Sequence, residues 1–167
     1  MPAVFLSPAE RIIRELVRRL ESATLFSDGK PTAVEVVRPN RDASNWSPKD
    51  NTVLVMQGES ARLPGMDLPG NPPAVAYALT LTLAGFARQS DRSTLPDDSE
   101  SNELAGVIQR AVTGGDADWH TFGGVALDAR FGDVATFPRT SDSHSGATVE
   151  LTVHYRVSEL DPFEVRS

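Results

Sequence analysis

The chain has 167 residues, no cysteine and a formal net charge of −7, with 23 acidic and 16 basic residues. This length suits one domain with a single hydrophobic core, and the missing cysteines exclude disulfides, cysteine zinc sites and thiol nucleophiles. The acidic balance argues against a protein whose main task is to hold phosphate backbones. We predict one domain over residues 1–167, without a signal peptide or membrane span, suited to a reducing cytosol or a particle assembled there.

Residues 7–20 predict an amphipathic helix. Ser7 is placed to cap it, Pro8 takes the first helical position and Glu10 is placed to complete a capping box. Arginines occupy much of one side, and we expect that side to be solvated rather than bound to a partner. The other side carries apolar residues at helical spacing, namely Ile12, Ile13, Leu16, Val17 and Leu20.

Apolar runs and alternating patterns predict five strands. Residues 34–37 and 52–57 form two short strands, and residues 75–86 form the longest, with leucines on one side and small or hydroxyl residues on the other. Val125 and Leu127 indicate a fourth. The last strand is the clearest, because strict alternation over this length is typical of a half-buried strand. Its apolar positions are Val149, Leu151, Val153, Tyr155 and Val157.

A second helix follows an Asp- and Ser-rich segment, and Gly114 and Gly115 end it. Its buried stripe consists of Leu104, Val107, Ile108, Ala111 and Val112. The order of elements predicts an α+β fold, with a mainly antiparallel sheet, the N-terminal helix and the second helix packed on one face, and long loop arms.

Four long loops are predicted, over residues 38–51, 58–73, 89–98 and 132–146. In a compact domain such loops are usually functional or disordered, and apolar side chains in them are candidates for burial in a partner. Folding back over the protein's own core is the alternative. The candidate subunit-interface residues are Trp46, Arg62, Met66, Leu68, Phe137 and Phe163.

Known catalytic and cofactor patterns are not recognisable in the sequence. His120, His144 and His154 do not recur at metal-ligand spacing, and the glycine pairs form neither a P-loop nor a dinucleotide fingerprint. The stretch from Gly58 to Arg62 only begins to look like a hydrolase nucleophile elbow, because it lacks the second glycine and a following helix. We expect no catalytic residue, no metal and no cofactor.

The layout resembles the tail-terminator, or tail-completion, proteins of long-tailed bacteriophages. Those proteins open with an amphipathic helix like residues 7–20 and carry a long apolar strand like residues 75–86, followed by a helix. They finish with a strand and a short extension, similar here to residues 153–156 followed by Asp161, Pro162 and Phe163. The long loop at residues 58–73 departs from shorter relatives, so contact residues do not carry over in detail.

The resemblance implies a structural virion protein in the neck of the tail, assembled in the host cytoplasm. It implies a ring, typically a hexamer, that ends growth of the tail tube and docks to the head-completion or connector protein. Its partners are then its own copies, the tail-tube protein and the connector, with genome DNA passing through the channel without specific binding. The net charge of −7 suggests an acidic channel wall.

Two alternatives stay open. The first is another component of the same particle, either a head-completion or stopper protein or a tail-tube subunit. Tube subunits form stacks, whereas terminators stop them. The second is a small hydrolase whose Asp, Ser and His residues meet only in three dimensions.

Overall fold

The computed structural model describes residues 6–27, 30–39, 51–88, 99–137 and 144–166. Two helices, α1 (Pro8–Glu21) and α2 (Ser99–Thr113), lie against strands that belong to a hairpin and a five-stranded sheet. The strands are β1 (Thr24–Ser27), β2 (Lys30–Ala33), β3 (Glu35–Val37), β4 (Thr52–Arg62), β5 (Ala74–Arg88), β6 (Asp128–Phe137) and β7 (His144–Ser158). The α+β class is confirmed.

The sheet has the strand order β3-β4-β5-β7-β6. Its central pair, β5 and β7, is antiparallel from Ala74↔Ser158 to Arg88↔His144, with every residue between them in register. Only β3 and β4 run parallel, so the sheet is mainly antiparallel as predicted.

The two faces of the sheet differ as the alternation predicts. The face toward the helices carries buried aliphatic side chains from both central strands, whereas Thr80 and Glu150 on the other face are exposed. We call this second face the outer face. The fully buried positions under the helices are Leu79, Leu81, Leu83, Val149, Leu151 and Val153, each 0% exposed.

Helix α1 begins at the predicted cap, Ser7, but the predicted capping box is wrong, because the carboxylate of Glu10 binds Arg14 and Arg38 and not the Ser7 amide. Ser7 precedes the helix with extended backbone, and its hydroxyl accepts a hydrogen bond from the amide of Glu10 at 3.3 Å. The carboxylate of Glu10 lies 2.9 Å from nitrogen atoms of both Arg14 and Arg38. It therefore links the helix to the residue that follows β3.

Helix α2 approaches the sheet at a position without a side chain. A Cβ atom on Gly85 would lie 2.6 Å from Cδ1 of Ile108 and 3.2 Å from Cδ1 of Leu104. Both helix residues are almost completely buried. Glycine at position 85 therefore allows the close packing of α2 on β5.

Two predicted loops are wrong in part, because two strands continue through a bulge. β4 extends to Arg62, since Gly58 and Glu59 together oppose one residue and pairing resumes beyond them. β6 likewise continues to Phe137 past Gly132 and Asp133. A glycine beside an acidic residue is typical of a turn. Here each pair forms a β-bulge, in which two residues of one strand oppose one residue of its neighbour.

Two further features were not predicted. The β1–β2 hairpin pairs Thr24 with Ala33 through Ser27 with Lys30, outside the main sheet. The fourth predicted strand begins at Asp128 rather than at Val125, which is buried in the turn before it. The predicted loop at residues 89–98 and nearly all of the loop at residues 38–51 lie outside the described residues.

Candidate functional site

Four of the six predicted interface residues come together at one end of the sheet. This is the end at which β5 begins and β4 and β7 finish, and we call it the Leu68 end. Arg62 is the last residue of β4, and Leu68 forms a bridge with Ala74 at the start of β5. The Leu68 end comprises residues 62–74 and 156–166, and it includes Arg62, Met66, Leu68 and Phe163.

Polar contacts hold the loop of the Leu68 end against the sheet. The carboxylate of Asp67 accepts a hydrogen bond from the amide of Ala76 at 2.8 Å and another from Arg62 at 3.0 Å. The Ala76 amide is the main reason that the pKa of Asp67 lies below its ordinary value, and Arg62 adds to the effect. Arg156 donates to the carbonyl oxygen of Met66 at 2.8 Å. Arg62 and Met66 thus have structural contacts within their own chain.

The C-terminal segment folds back along β7 at the same end. Val165 bridges Val157, and the amides of Ser158 and Arg166 donate to the carbonyls of Glu164 and Arg156. The turn between the two segments presents Leu160, which is 78% exposed. Leu68 and Phe163 are 40% and 46% exposed, so the Leu68 end carries several solvent-facing apolar side chains.

Phe137 lies at the opposite end of the sheet. It is paired with Gly146, which is paired in turn with Phe86. A Cβ atom on Gly146 would lie 3.6 Å from ring carbons of both phenylalanines, so the two rings flank this glycine. Phe137 is 53% exposed and has the parity of the outer face, whereas Val134, three residues earlier on the same strand, is 44% exposed and has the parity of the helix-covered face. We call Phe86, Val134 and Phe137 the Phe137 end.

The two ends are separated by almost the full length of β5. The row through Ala74 and the row through Phe86 are twelve residues apart. At about 3.3 Å per residue, this separation is ~40 Å. Trp46, the remaining predicted interface residue, lies outside the described residues. The predicted residues therefore do not form one patch.

Two exposed apolar residues at these ends, Val134 and Leu160, and the half-buried Phe86 were not predicted as interface residues. Val134 falls within the predicted loop at residues 132–146, although it lies in β6. Leu160 is an isolated leucine among polar residues. The position of Phe86 could have been predicted from the alternation of β5. It has the same parity as Ala84 and Thr82, so it lies on the outer face.

The outer face between the two ends is mainly small and polar. β5 contributes Thr80 and Thr82, and β7 contributes Thr148, Glu150 and Thr152. Two arginines of this face are engaged within the chain. Arg130 pairs with Asp128 at 2.8 Å, and Arg156 binds the Met66 carbonyl. The exposed carboxylate of Glu150 lies near the middle of this face.

A polar cleft between the C-terminal ends of α1 and α2 is a second place where charged groups gather. Arg19 lines this cleft and donates hydrogen bonds to the carbonyls of Val112 at 2.8 Å and Trp119 at 3.0 Å. Its guanidinium also lies 4.7 Å from the centre of the Phe122 ring. These contacts join α1 to the end of α2, which gives the cleft a structural role.

Glu15 makes stability depend on pH at this cleft. Hydrogen bonds and charge from Arg18, with a further contribution from Arg19, lower its pKa from 4.5 to about 2. The folded state then binds this proton less tightly than the unfolded chain. The stabilisation from Glu15 is fully present above pH 4.5 and is lost as the pH falls toward 2.

We expect Glu15→Gln to be less stable than the wild-type protein above pH 4.5, and the difference to shrink steadily toward pH 2. Urea unfolding of both proteins across this range measures the difference at each pH. A difference that stays constant with pH would contradict this assignment of the Glu15 pKa.

The stretch from Gly58 to Arg62 does not form a nucleophile elbow. Ser60 lies in the bulged part of β4, not at a turn between a strand and a helix. Within the described ranges, no three His, Asp or Glu residues are placed to hold a metal ion together. A helix long and apolar enough to cross a membrane is likewise not found in those ranges.

Neither the protein-family models nor the curated proteins contain a match to this chain.

Proposed function

We propose that this chain is a structural ring subunit that caps the head-proximal end of a phage tail tube and provides the docking surface for the head connector. One observation carries the proposal. Exposed apolar side chains gather at both ends of the sheet, ~40 Å apart, with a mainly polar face between them. A terminator needs two such surfaces, because it contacts the tube on one side and the connector on the other.

The outer face supports the same proposal. In the ring it lines the channel, where threonine side chains and the carboxylate of Glu150 give passing DNA little to bind. Arg130 pairs its charge with Asp128, and Arg156 uses its Nε–H to bind the Met66 carbonyl, so both arginines already have a partner within the chain. An outer face that binds duplex DNA tightly at moderate salt would contradict this part of the proposal.

The purified chain, alone and with preformed tail tubes of the phage that carries its gene, tests the proposal directly. Light scattering gives the mass, and negative-stain imaging gives the position of the protein. Single caps on tube ends, with elongation halted, support a terminator. Stacked tubes of this chain alone would identify a tube subunit, and a monomer that ignores tubes would refute both roles.

We further expect Leu160→Asp and Phe137→Asp to affect different partners. A carboxylate placed in a buried apolar contact should weaken it on the order of 30-fold, the size of a hot-spot loss. One variant should therefore fail to cap tubes yet bind the connector, and the other should do the reverse. Quantitative binding to tube ends and to purified connector measures both.

Asn102→Asp is the matched control, since it adds the same charge at an exposed position of α2. It should leave both interactions intact. Loss of both interactions in either end variant would mean that the two ends do not serve separate partners.

A further inference from the structure

Within the described residues, two strands of the main sheet, β4 and β6, each have an edge that is not paired along part or all of its length. β6 is the last strand in the order, and among the described strands it pairs with β7 alone. β4 meets β3 only at residues 52–54, so within the described part of the chain residues 55–62 have no strand on that side. An unpaired edge presents backbone N–H and C=O groups that pair readily with another strand.

The directions of the strands determine how copies of the chain can meet. β4, β5, β7 and β6 are antiparallel in succession, so β4 and β6 run in opposite directions. Rotation about an axis along the strands keeps these directions. The β6 edge of one copy therefore meets the β4 edge of the next copy in antiparallel orientation, and a closed ring leaves neither edge unpaired.

We propose that copies of this chain join edge to edge, with β6 of one copy pairing with residues 55–62 of the next, so that their sheets form one continuous closed sheet. The partner is a second copy because every copy carries both edges. Pairing of two β6 strands about a twofold axis would leave the β4 edges bare. The closed ring rests on the proposed function, whereas edge pairing can be tested on the purified chain.

The bulges in the two edge strands support closure of the sheet. Gly58 and Glu59 oppose Thr80, and Gly132 and Asp133 oppose Glu150. Because Glu150 pairs with Thr82, the two bulges lie at nearly the same height. A bulge bends its strand and increases the local twist, and closed sheets use bulges to curve.

The bulge glycines are held close to the neighbouring strand. A Cβ atom on Gly58 would lie 3.2 Å from the Thr80 carbonyl oxygen. On Gly132, it would lie 3.2 Å from Cβ of Glu150. Both positions therefore favour glycine, and the bend occurs at the same level on each edge of the sheet.

Side chains at the two edges fit this pairing. Val134 and Gln57 both have the parity of the helix-covered face, and both are exposed. Across the sheet, Val134 is aligned with Leu83 and Gln57 with Leu81. The two positions therefore differ by two residues along the strand direction. Pairing of the edges would cover the apolar side chain of Val134.

Crosslinking tests the pairing, because the chain has no cysteine of its own. Val134→Cys and Gln57→Cys are purified separately, mixed in equal amounts and treated with a short bismaleimide. We expect a crosslinked dimer in the mixture and none from either variant alone. The double variant should give a ladder of products that ends at the ring size.

Three results would overturn the pairing. They are a dimer from Val134→Cys alone, equal crosslinking when Leu160→Cys replaces Val134→Cys in the mixture, and no crosslinked product at all. Failure of the proposed function is distinguishable. A specific mixed crosslink without capping of tubes keeps the edge pairing and refutes the terminator, whereas capping without that crosslink refutes the edge pairing alone.

Discussion

Arg19→Ala is expected to lower the free energy of unfolding by about 2–4 kcal/mol, through the loss of a largely buried charge-assisted network. The side chain of Arg19 is 11% exposed and binds the carboxylate of Glu15 at 2.9 Å. The same guanidinium binds two backbone carbonyls, of Val112 and Trp119, at 2.8 and 3.0 Å. Its removal leaves both carbonyls without this donor at the junction of α1 and α2.

Arg18→Ala is the matched control. Arg18 is the neighbouring residue and binds the same carboxylate, but its side chain is 69% exposed. Exposed ion pairs contribute about 0–1 kcal/mol, so this variant should stay close to the wild-type protein. Urea unfolding at neutral pH measures both variants. Equal losses would show that the contacts of Arg19 with the end of α2 contribute nothing beyond its ion pair.

Leu151→Ala is expected to lower the free energy of unfolding by about 3–5 kcal/mol. Leu151 is 0% exposed in the middle of β7, where it pairs with Leu81 on one side and Phe131 on the other. Strands flank it on both sides and the helices cover it, so its neighbours have little freedom to close the cavity.

The control for Leu151 is Leu160→Ala, which removes the same atoms from a side chain that is 78% exposed. Its stability should change by less than about 0.5 kcal/mol. Denaturant midpoints with an unchanged slope measure both effects. A loss below about 1 kcal/mol for Leu151→Ala would show that the core around β7 can repack.

The elements that were predicted correctly are those with a long, regular hydrophobic pattern. α1 combines a cap at Ser7 with apolar residues at helical spacing, and its bounds follow the sequence closely. β5 and β7 alternate over most of their length, so both the strands and their buried faces could be predicted. The helices cover the aliphatic face because that face cannot remain in water.

The bulges were missed for a physical reason. A glycine followed by an acidic residue favours a turn, and only pairing with a neighbouring strand holds Gly58 and Gly132 within a ladder. The short strands β1 and β2 also lack a long pattern. Whether such a segment forms a strand depends on its tertiary contacts, and the local sequence does not reveal those contacts.

Candidate interface residues could be predicted from the sequence, but their arrangement in space could not. Exposed apolar side chains in loops are recognisable from sequence, and Leu68, Phe137 and Phe163 are indeed solvent-facing. Their division between two ends depends on the register of β5, β6 and β7, which alternation alone does not determine. The role of the protein does not follow from this fold, since similar α+β layouts serve many functions.

The uninterrupted pairing of β5 with β7 has a mechanical consequence. Fifteen-residue strands joined at every position, with no bulge between them, form a stiff element that spans the subunit. The bulges of the main sheet lie in the strands on either side of this pair, β4 and β6. A load applied at the Leu68 end would reach the Phe137 end with little change in their spacing. In the ring that we propose, the central pair would therefore fix the thickness of the wall, while the bulged strands β4 and β6 would set its curvature.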